Sequence, residues 1–170
     1  MRFRATAAMA DLASLRIWVI ALFLFGTVPA FAASPNPLSE SQVLQLNQDM
    51  SQHIGRTIDN LLEMAQASKG QEAQALVAIA NSGRESEVAV DRFLELALIY
   101  QAMTNEKDKA IVALHASTSL MGAKGSLDIS SQAINRYLTS LTSPAAVAEA
   151  QRLRDRMQEL RQELDQYHYY

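Results

Sequence analysis

The hydrophobic pattern of this chain is helical over most of its length. From about residue 40 onward, apolar positions recur in alternating steps of three and four, which is the spacing of one face of an α-helix. Glycines, short polar stretches and a proline interrupt the pattern. They divide the chain into six predicted helices, at 40–69, 71–82, 85–103, 105–121, 128–141 and 144–167.

Helix-start signals support several of these boundaries. Ser39 and Gln42 have the spacing of a capping box, in which two side chains satisfy the free backbone amides of a first turn. Asn105 and Asp128 are candidate N-caps for two later helices. Pro144 suits the first position of a helix, because its missing N–H would have no partner there in any case.

Two of the predicted helices are identified by their apolar residues. In the first helix the stripe contains Val43, Asn47, Met50, Ile54, Thr57, Leu61 and Met64. In the fourth helix the apolar residues are Ala110, Ile111, Val112, Leu114, Leu120 and Met121. The first set forms one continuous stripe, so we expect that side of the first helix to face the interior.

The segment 85–103 is the most apolar part of the chain outside its N-terminal leader. Its apolar residues fall on most sides of a helix: Val88, Val90, Phe93, Leu94, Leu96, Ala97, Leu98, Ile99, Tyr100 and Met103. A helix that is apolar on most sides is expected at the centre of a fold. The sequence therefore predicts an all-α protein whose helices form three hairpins, packed around the third and fourth predicted helices.

Residues 93 to 122 resemble one helical hairpin of the tetratricopeptide family. The resemblance is carried by Phe93, Leu96, Ala97, Tyr100, Ala110 and Leu114. In that family such hairpins stack into a concave surface that binds other proteins, so the resemblance implies a protein-binding role. The alternative interpretation is an ordinary bundle whose helices are of similar length.

The N-terminal segment has the plan of a secretory signal peptide. Arginines precede an apolar run from Ile17 to Phe25, and the small-residue triplet Ala30-Phe31-Ala32 follows. As a helix this run covers only about 14 Å, against a hydrocarbon core of roughly 30 Å, so a retained membrane anchor is disfavoured. We expect cleavage near Ala32 and a periplasmic or secreted mature protein.

This interpretation divides the chain into three parts. Residues 1–32 are the predicted signal peptide, residues 33–38 an extended lead-in with two prolines, and residues 39–170 a single all-helical domain. The domain ends in a long helix predicted at 144–167.

Composition excludes several functions. The chain contains no cysteine, so disulfides, thiol nucleophiles and covalent haem attachment are excluded. Without residues 1–32 the chain loses three arginines and one aspartate, which leaves a net charge of −5. An acidic exported protein is a poor candidate for binding nucleic acid.

Catalytic and metal-binding patterns are also missing from the sequence. No serine lies in a Gly-x-Ser-x-Gly motif, and no glycine-rich phosphate-binding loop is present. Asp49 and His53 are four residues apart and would supply two metal ligands, but a site needs three or four and no second pair follows. We therefore expect no enzymatic activity, no metal and no cofactor.

A haem-binding bundle is the alternative to a protein-binding role. Met50 in the first helix and His168 near the C-terminus would be the axial ligands of a non-covalent haem. This arrangement resembles the b-type cytochrome of periplasmic four-helix bundles, which has a methionine early and a histidine close to the C-terminus. Otherwise His168 belongs to a frayed tail.

The last predicted helix is about 16 Å longer than its hairpin partner. The overhang carries one narrow apolar seam, formed by Met157, Leu160, Leu164 and Tyr167. A narrow seam with alternating steps of three and four suits a single neighbouring helix. That helix is either the first helix of this chain or part of another protein, and we take the seam as the candidate partner-binding site. The function predicted is that of an exported, non-catalytic scaffold, adaptor or chaperone-like protein.

Overall fold

The computed structural model describes residues 34–170, and these residues form four helices. The first helix, α1, consists of three consecutive segments: Glu40–Asp49, a π-helical stretch Met50–Gly55, and Arg56–Ala67. The other three are α2 (Gly70–Ala102), α3 (Glu106–Leu138) and α4 (Pro144–Leu164). Because the connections between helices are only two to five residues long, consecutive helices are antiparallel.

The four helices pack as a closed ring. α1 contacts α2, α2 contacts α3, α3 contacts α4, and α4 returns to α1. The largest fully buried side chains lie between them: Leu46, Ile54, Ile58, Leu61, Leu76, Ile79, Phe93, Leu94, Leu127, Ile134 and Leu153. The all-α class predicted from the sequence is confirmed, and the described residues form a four-helix bundle.

The prediction of a helix break before residue 85 is wrong, because α2 continues through Gly83. This glycine is buried, and a Cβ atom added to it would lie 3.0 Å from the Ile58 side chain and 3.2 Å from that of Leu153. Gly83 therefore serves the close approach of neighbouring helices and does not end one. The predicted second and third helices are one.

The predicted break at Gly122 and Gly125 is also wrong, because α3 continues through both. A stripe of buried residues runs unbroken past them: Ala113, Ala116, Leu120, Ala123, Leu127, Ser130, Ser131 and Ile134. Burial of that stripe outweighs the cost of about 0.5–1 kcal/mol that each glycine adds. Asp128 lies inside α3, where its carboxylate accepts a hydrogen bond of 3.1 Å from Arg161 instead of capping a helix.

The segment 85–103 is less enclosed than its composition predicts. Val90, Phe93 and Leu94 are buried, but Val88 and Ile99 are 44% and 43% exposed. The reason is geometric, since every helix in a ring of four has an outer face. This segment is the second half of α2 and is not a central helix.

Several predicted start signals are confirmed. Ser39 and Gln42 form the capping box, in which the Ser39 N–H donates to Gln42 Oε1 at 2.8 Å. Asn105 caps α3, because its side-chain oxygen accepts from the Lys107 N–H at 2.9 Å. Pro144 is at the start of α4.

A carboxylate of α2 accepts hydrogen bonds from the backbone just before α4. Glu72 accepts hydrogen bonds from the backbone N–H groups of Thr142 and Ser143, at 2.9 and 2.8 Å, and from the Thr142 hydroxyl at 2.7 Å. The backbone N–H of Ser143 and both Thr142 bonds lower the pKa of the Glu72 carboxyl. This cluster ties the beginning of α4 to the beginning of α2.

The π-helical stretch explains an error in the predicted stripe of α1. Asn47 was predicted to be buried but is exposed, and Leu46 is buried instead. A π-helix has more residues per turn than an α-helix, so the stretch rotates the preceding segment relative to the following one. A constant helical period therefore assigns the wrong residue at Asn47, whereas Val43 is buried as predicted.

The glycines of α2 and α3 give a matched pair of stability predictions. We expect Gly83→Ala to lower the free energy of unfolding by about 1–3 kcal/mol, because the new methyl group overpacks the core. We expect Gly122→Ala to raise it by about 0.5–1 kcal/mol, because a Cβ there meets nothing within 4 Å. Urea unfolding of both variants measures the difference, and an equal effect of the two substitutions would contradict the packing described.

Candidate functional site

The seam predicted to bind a partner is buried inside the bundle. Its residues are at most 7% exposed: Met157, Leu160, Leu164 and Tyr167. The cover comes from α1, since Arg156 donates to Asp49 at 2.6 Å and the Gln42 side chain donates to the Tyr167 hydroxyl at 3.2 Å. Internal packing, the alternative that the sequence left open, accounts for the seam. It offers no exposed surface to another protein.

The structure does not bring Met50 and His168 together. Met50 is buried in the π-helical stretch, about 15 Å along α1 from Glu40. His168 lies beyond the end of α4, where its backbone pairs with that of Asn36 through bonds of 2.8 and 3.1 Å. Asn36 precedes α1, so the two predicted axial ligands are at different levels of the bundle and do not flank a shared site.

The C-terminal tail is packed and not frayed. Tyr169 is 2% exposed, and its ring meets those of Phe93 and Tyr100 edge-on, with centroid distances of 6.1 and 5.0 Å. Leu38 of the lead-in is fully buried beside this cluster, and its carbonyl accepts a hydrogen bond from Gln101. Both ends of the described chain are thus held against α2.

The hydroxyl of Tyr169 is buried without a hydrogen-bond partner among residues 34–170. Burial raises the pKa of Tyr169 to about 12, and the nearby Leu38 backbone opposes this increase only in part. The folded protein therefore strongly favours the neutral phenol.

A polar groove runs between α1 and α4, and we call it the α1/α4 groove. Its volume is about 570 Å³, and its walls include the π-helical stretch. The charged and amide side chains that line it are His53, Arg56 and Asn60 from α1 and Glu149, Arg152 and Arg156 from α4, among others. Glu149 is only 6% exposed and accepts a hydrogen bond of 2.8 Å from Asn60.

An apolar surface lies on the outside of α3, and we call it the α3 face. Its large residues are Ile111, Leu114, Met121 and Ile129, which are 58%, 55%, 72% and 63% exposed. Thr118, Gly122 and Gly125 lie between them on the same side of the helix. Ile111, Leu114 and Met121 are among the apolar residues from which the fourth helix was predicted, and the structure places all three on the outside of α3. The core side of α3 is formed largely by alanines and serines instead.

The described residues contain no group of three or more side chains suited to hold a metal ion. Asp49 and His53, the pair singled out in the sequence, lie 3.8 Å apart. Within residues 34–170, no helix is long and apolar enough to cross a membrane. The predicted signal peptide, 1–32, lies outside the described residues.

Comparison with protein-family models, with curated proteins and with solved structures finds no match to this chain. The likeness of residues 93 to 122 to a tetratricopeptide hairpin therefore stays a prediction. In the structure these residues form the last ten residues of α2, the turn that follows, and the first half of α3.

The buried seam gives a second stability prediction. Leu164→Ala removes a fully buried side chain and should lower the free energy of unfolding by about 2–5 kcal/mol. Leu114→Ala is the matched control, because Leu114 is 55% exposed, and we expect a change within about 0.5 kcal/mol. Chemical unfolding of the two variants measures both changes in the free energy of unfolding. An unchanged midpoint for Leu164→Ala would mean that the seam is not internal.

The buried tyrosine gives a prediction for alkaline pH. In the unfolded chain Tyr169 loses its proton near pH 10, and in the folded protein near pH 12, so rising pH in this window favours unfolding. Wild type should lose roughly 1 kcal/mol more stability than Tyr169→Phe between pH 10 and pH 11. Below pH 9 the difference between the two proteins should not depend on pH. Parallel loss of stability in both proteins across the window would show that Tyr169 is not buried.

Proposed function

We propose that this chain is an exported, non-catalytic helical protein that binds another protein, as a scaffold, adaptor or chaperone-like component. The observation that supports this proposal is the exposed apolar surface of α3. Contiguous exposed apolar patches on folded domains commonly mark sites of interaction with other proteins. Export is part of the same proposal and rests on the leader sequence alone.

The α3 face is mainly apolar. Residues 110 to 123 contain no aspartate, glutamate, lysine or arginine, and the exposed His115 is the one ionisable side chain among them. The Thr118 hydroxyl donates to the Leu114 carbonyl at 3.0 Å, so its polar group is already used within the helix. Further along, Lys124 pairs with Asp165 across the bundle at 3.0 Å. A partner is therefore selected mainly by apolar contact and shape.

The shape of the face suits one helix of the partner. The large side chains follow steps of three and four, and Gly122 and Gly125 leave a notch between Met121 and Ile129. A Cβ added to either glycine would meet nothing within 4 Å, so a partner side chain can reach the backbone of α3. A leucine, methionine or phenylalanine in an apolar helical stripe has the chemistry to fill this notch.

The size of the face favours a single helix over a second copy of the bundle. From Ile111 to Ile129 the face is about 27 Å long, and a helix is about 10 Å wide, so the patch covers roughly 300 Å². A stable two-protein interface buries about 800 Å² on each side. Self-association through this face alone would be too small for a stable dimer, whereas a transient helix contact needs less area.

The experiment compares two double variants of the exported protein. Leu114→Ser with Met121→Ser changes the α3 face, and Val77→Ser with Val88→Ser is the control on the exposed side of α2. A photo-crosslinking residue at Thr118 should attach to one discrete protein in wild type and in the control. The α3 variant should lose at least about 90% of that product with its thermal midpoint unchanged, because all four substituted side chains are exposed.

Mapping of the crosslinked peptide then tests the chemistry of the partner. Attachment to an uncharged apolar stripe of a helix supports the proposal. Attachment to a second copy of this chain, or a product that the α3 variant still forms, would overturn it.

A further inference from the structure

Two cross-helix contacts bracket the α1/α4 groove. Asn60 bonds to Glu149 at 2.8 Å near one end, and Asp49 bonds to Arg156 at 2.6 Å toward the other. Since α1 and α4 are antiparallel, residue numbers fall along one wall as they rise along the other. Positions between the two contacts can therefore be matched across the groove.

Counting from the two contacts places Arg56 of α1 opposite residues 149–153 of α4, the turn that contains Arg152. Both side chains line the groove. Arg152 is ion-paired with Glu149 through one nitrogen, and the remaining N–H donors of its guanidinium, together with those of Arg56, are the groups that a bound anion would contact. The planar guanidinium also offers paired N–H donors that match the oxygens of a carboxylate or phosphate group.

No carboxylate of the described residues pairs with the guanidinium of Arg56. Asp49 and Glu159 are both bonded to Arg156, at 2.6 and 2.8 Å. Glu149 is occupied by Asn60 and Arg152. Among the described residues Arg56 makes no ion pair or hydrogen bond through its side chain. Its donors are available to a bound molecule.

The wall that carries Arg56 adds a second indication of function. It follows directly on the π-helical stretch Met50–Gly55, and π-helical distortions of α-helices occur frequently at functional sites. The volume of about 570 Å³ lies within the range of small-molecule sites. The groove therefore has the size for a small organic molecule as well as the paired cations for its charged end.

We propose that the α1/α4 groove binds a small anion with a carboxylate or phosphate group, held between Arg56 and Arg152. The three arginines of the lining are balanced by Glu149, Asp155 and Glu159, so the groove as a whole is near neutral. The anion is then recognised through paired hydrogen bonds from Arg56 and Arg152, and not through a net positive charge of the groove. This site is separate from the α3 face, and the two proposals stand or fall independently.

The test is an NMR titration of the folded protein with succinate and, separately, with inorganic phosphate, at constant ionic strength adjusted with sodium chloride. Saturable changes in the backbone amide signals of residues 52–60 are expected for at least one of the two anions. The anion that saturates at the lower concentration identifies the group that the groove prefers. Amide signals are chosen because phosphate stabilises folded proteins in general, which makes thermal shifts ambiguous.

Variants assign the binding to the two arginines. Arg56→Ala and Arg152→Gln should each raise the dissociation constant at least about 10-fold, the usual effect of losing a charged hydrogen bond. Arg56→Lys should fall between Arg56→Ala and wild type, because a lysine keeps the charge without the paired donors. Arg92→Ala is the control, since Arg92 is exposed on α2 outside the groove, and it should bind as wild type does.

Two results would overturn the proposal. One is an amide response that does not saturate with either anion, or that sodium chloride alone reproduces. The other is saturable binding that Arg56→Ala and Arg152→Gln leave unchanged, because the anion would then occupy another part of the protein.

Discussion

The bundle depends on how closely α2 and α3 approach each other. Small residues line this interface, and four serine hydroxyls lie within it: Ser82, Ser86, Ser126 and Ser130. Ser130 donates to the Ser82 carbonyl at 2.7 Å, and Ser86 donates to the Ser130 hydroxyl at the same distance. Because these polar groups satisfy one another, they can be buried without the cost of an unpaired hydroxyl. The two helices of 33 residues can then pack along their length.

The two sides of α3 differ in the size of their side chains. The outer side carries large apolar residues, and Leu114 and Met121 are 55% and 72% exposed. The buried side combines small residues, among them the fully buried Ala116 and Ala123, with three larger ones: Leu120, Leu127 and Ile134. The small residues let α2 and α3 approach closely, and the large outer residues form the α3 face. A larger residue at Ala116 or Ala123 would separate α2 from α3 before it changed the outer surface.

Local features of the sequence predicted local features of the structure. The capping box at Ser39, the cap at Asn105 and the start at Pro144 depend on residues within one helical turn, and all three were correct. Helix continuity through Gly83 depends on Ile58 and Leu153, which are distant in sequence. No local pattern distinguishes such a packed glycine from one that ends a helix. The burial of the α4 seam by α1 is likewise a long-range result, so the sequence left it as one of two alternatives.

The α1/α4 groove was not predicted from the sequence, for a related reason. Arg56 and Arg152 belong to ordinary polar faces when each helix is considered alone, and only the antiparallel register of α1 and α4 makes them a pair. The groove lies between α1 and α4, whereas the α3 face points outward from a helix that does not contact α1. α4 contacts both α1 and α3, through Arg156 to Asp49 on one side and through Arg161 to Asp128 on the other. α2 also contacts both of these helices. Any coupling between an anion in the groove and a helix on the α3 face must therefore act through a displacement of α2 or α4.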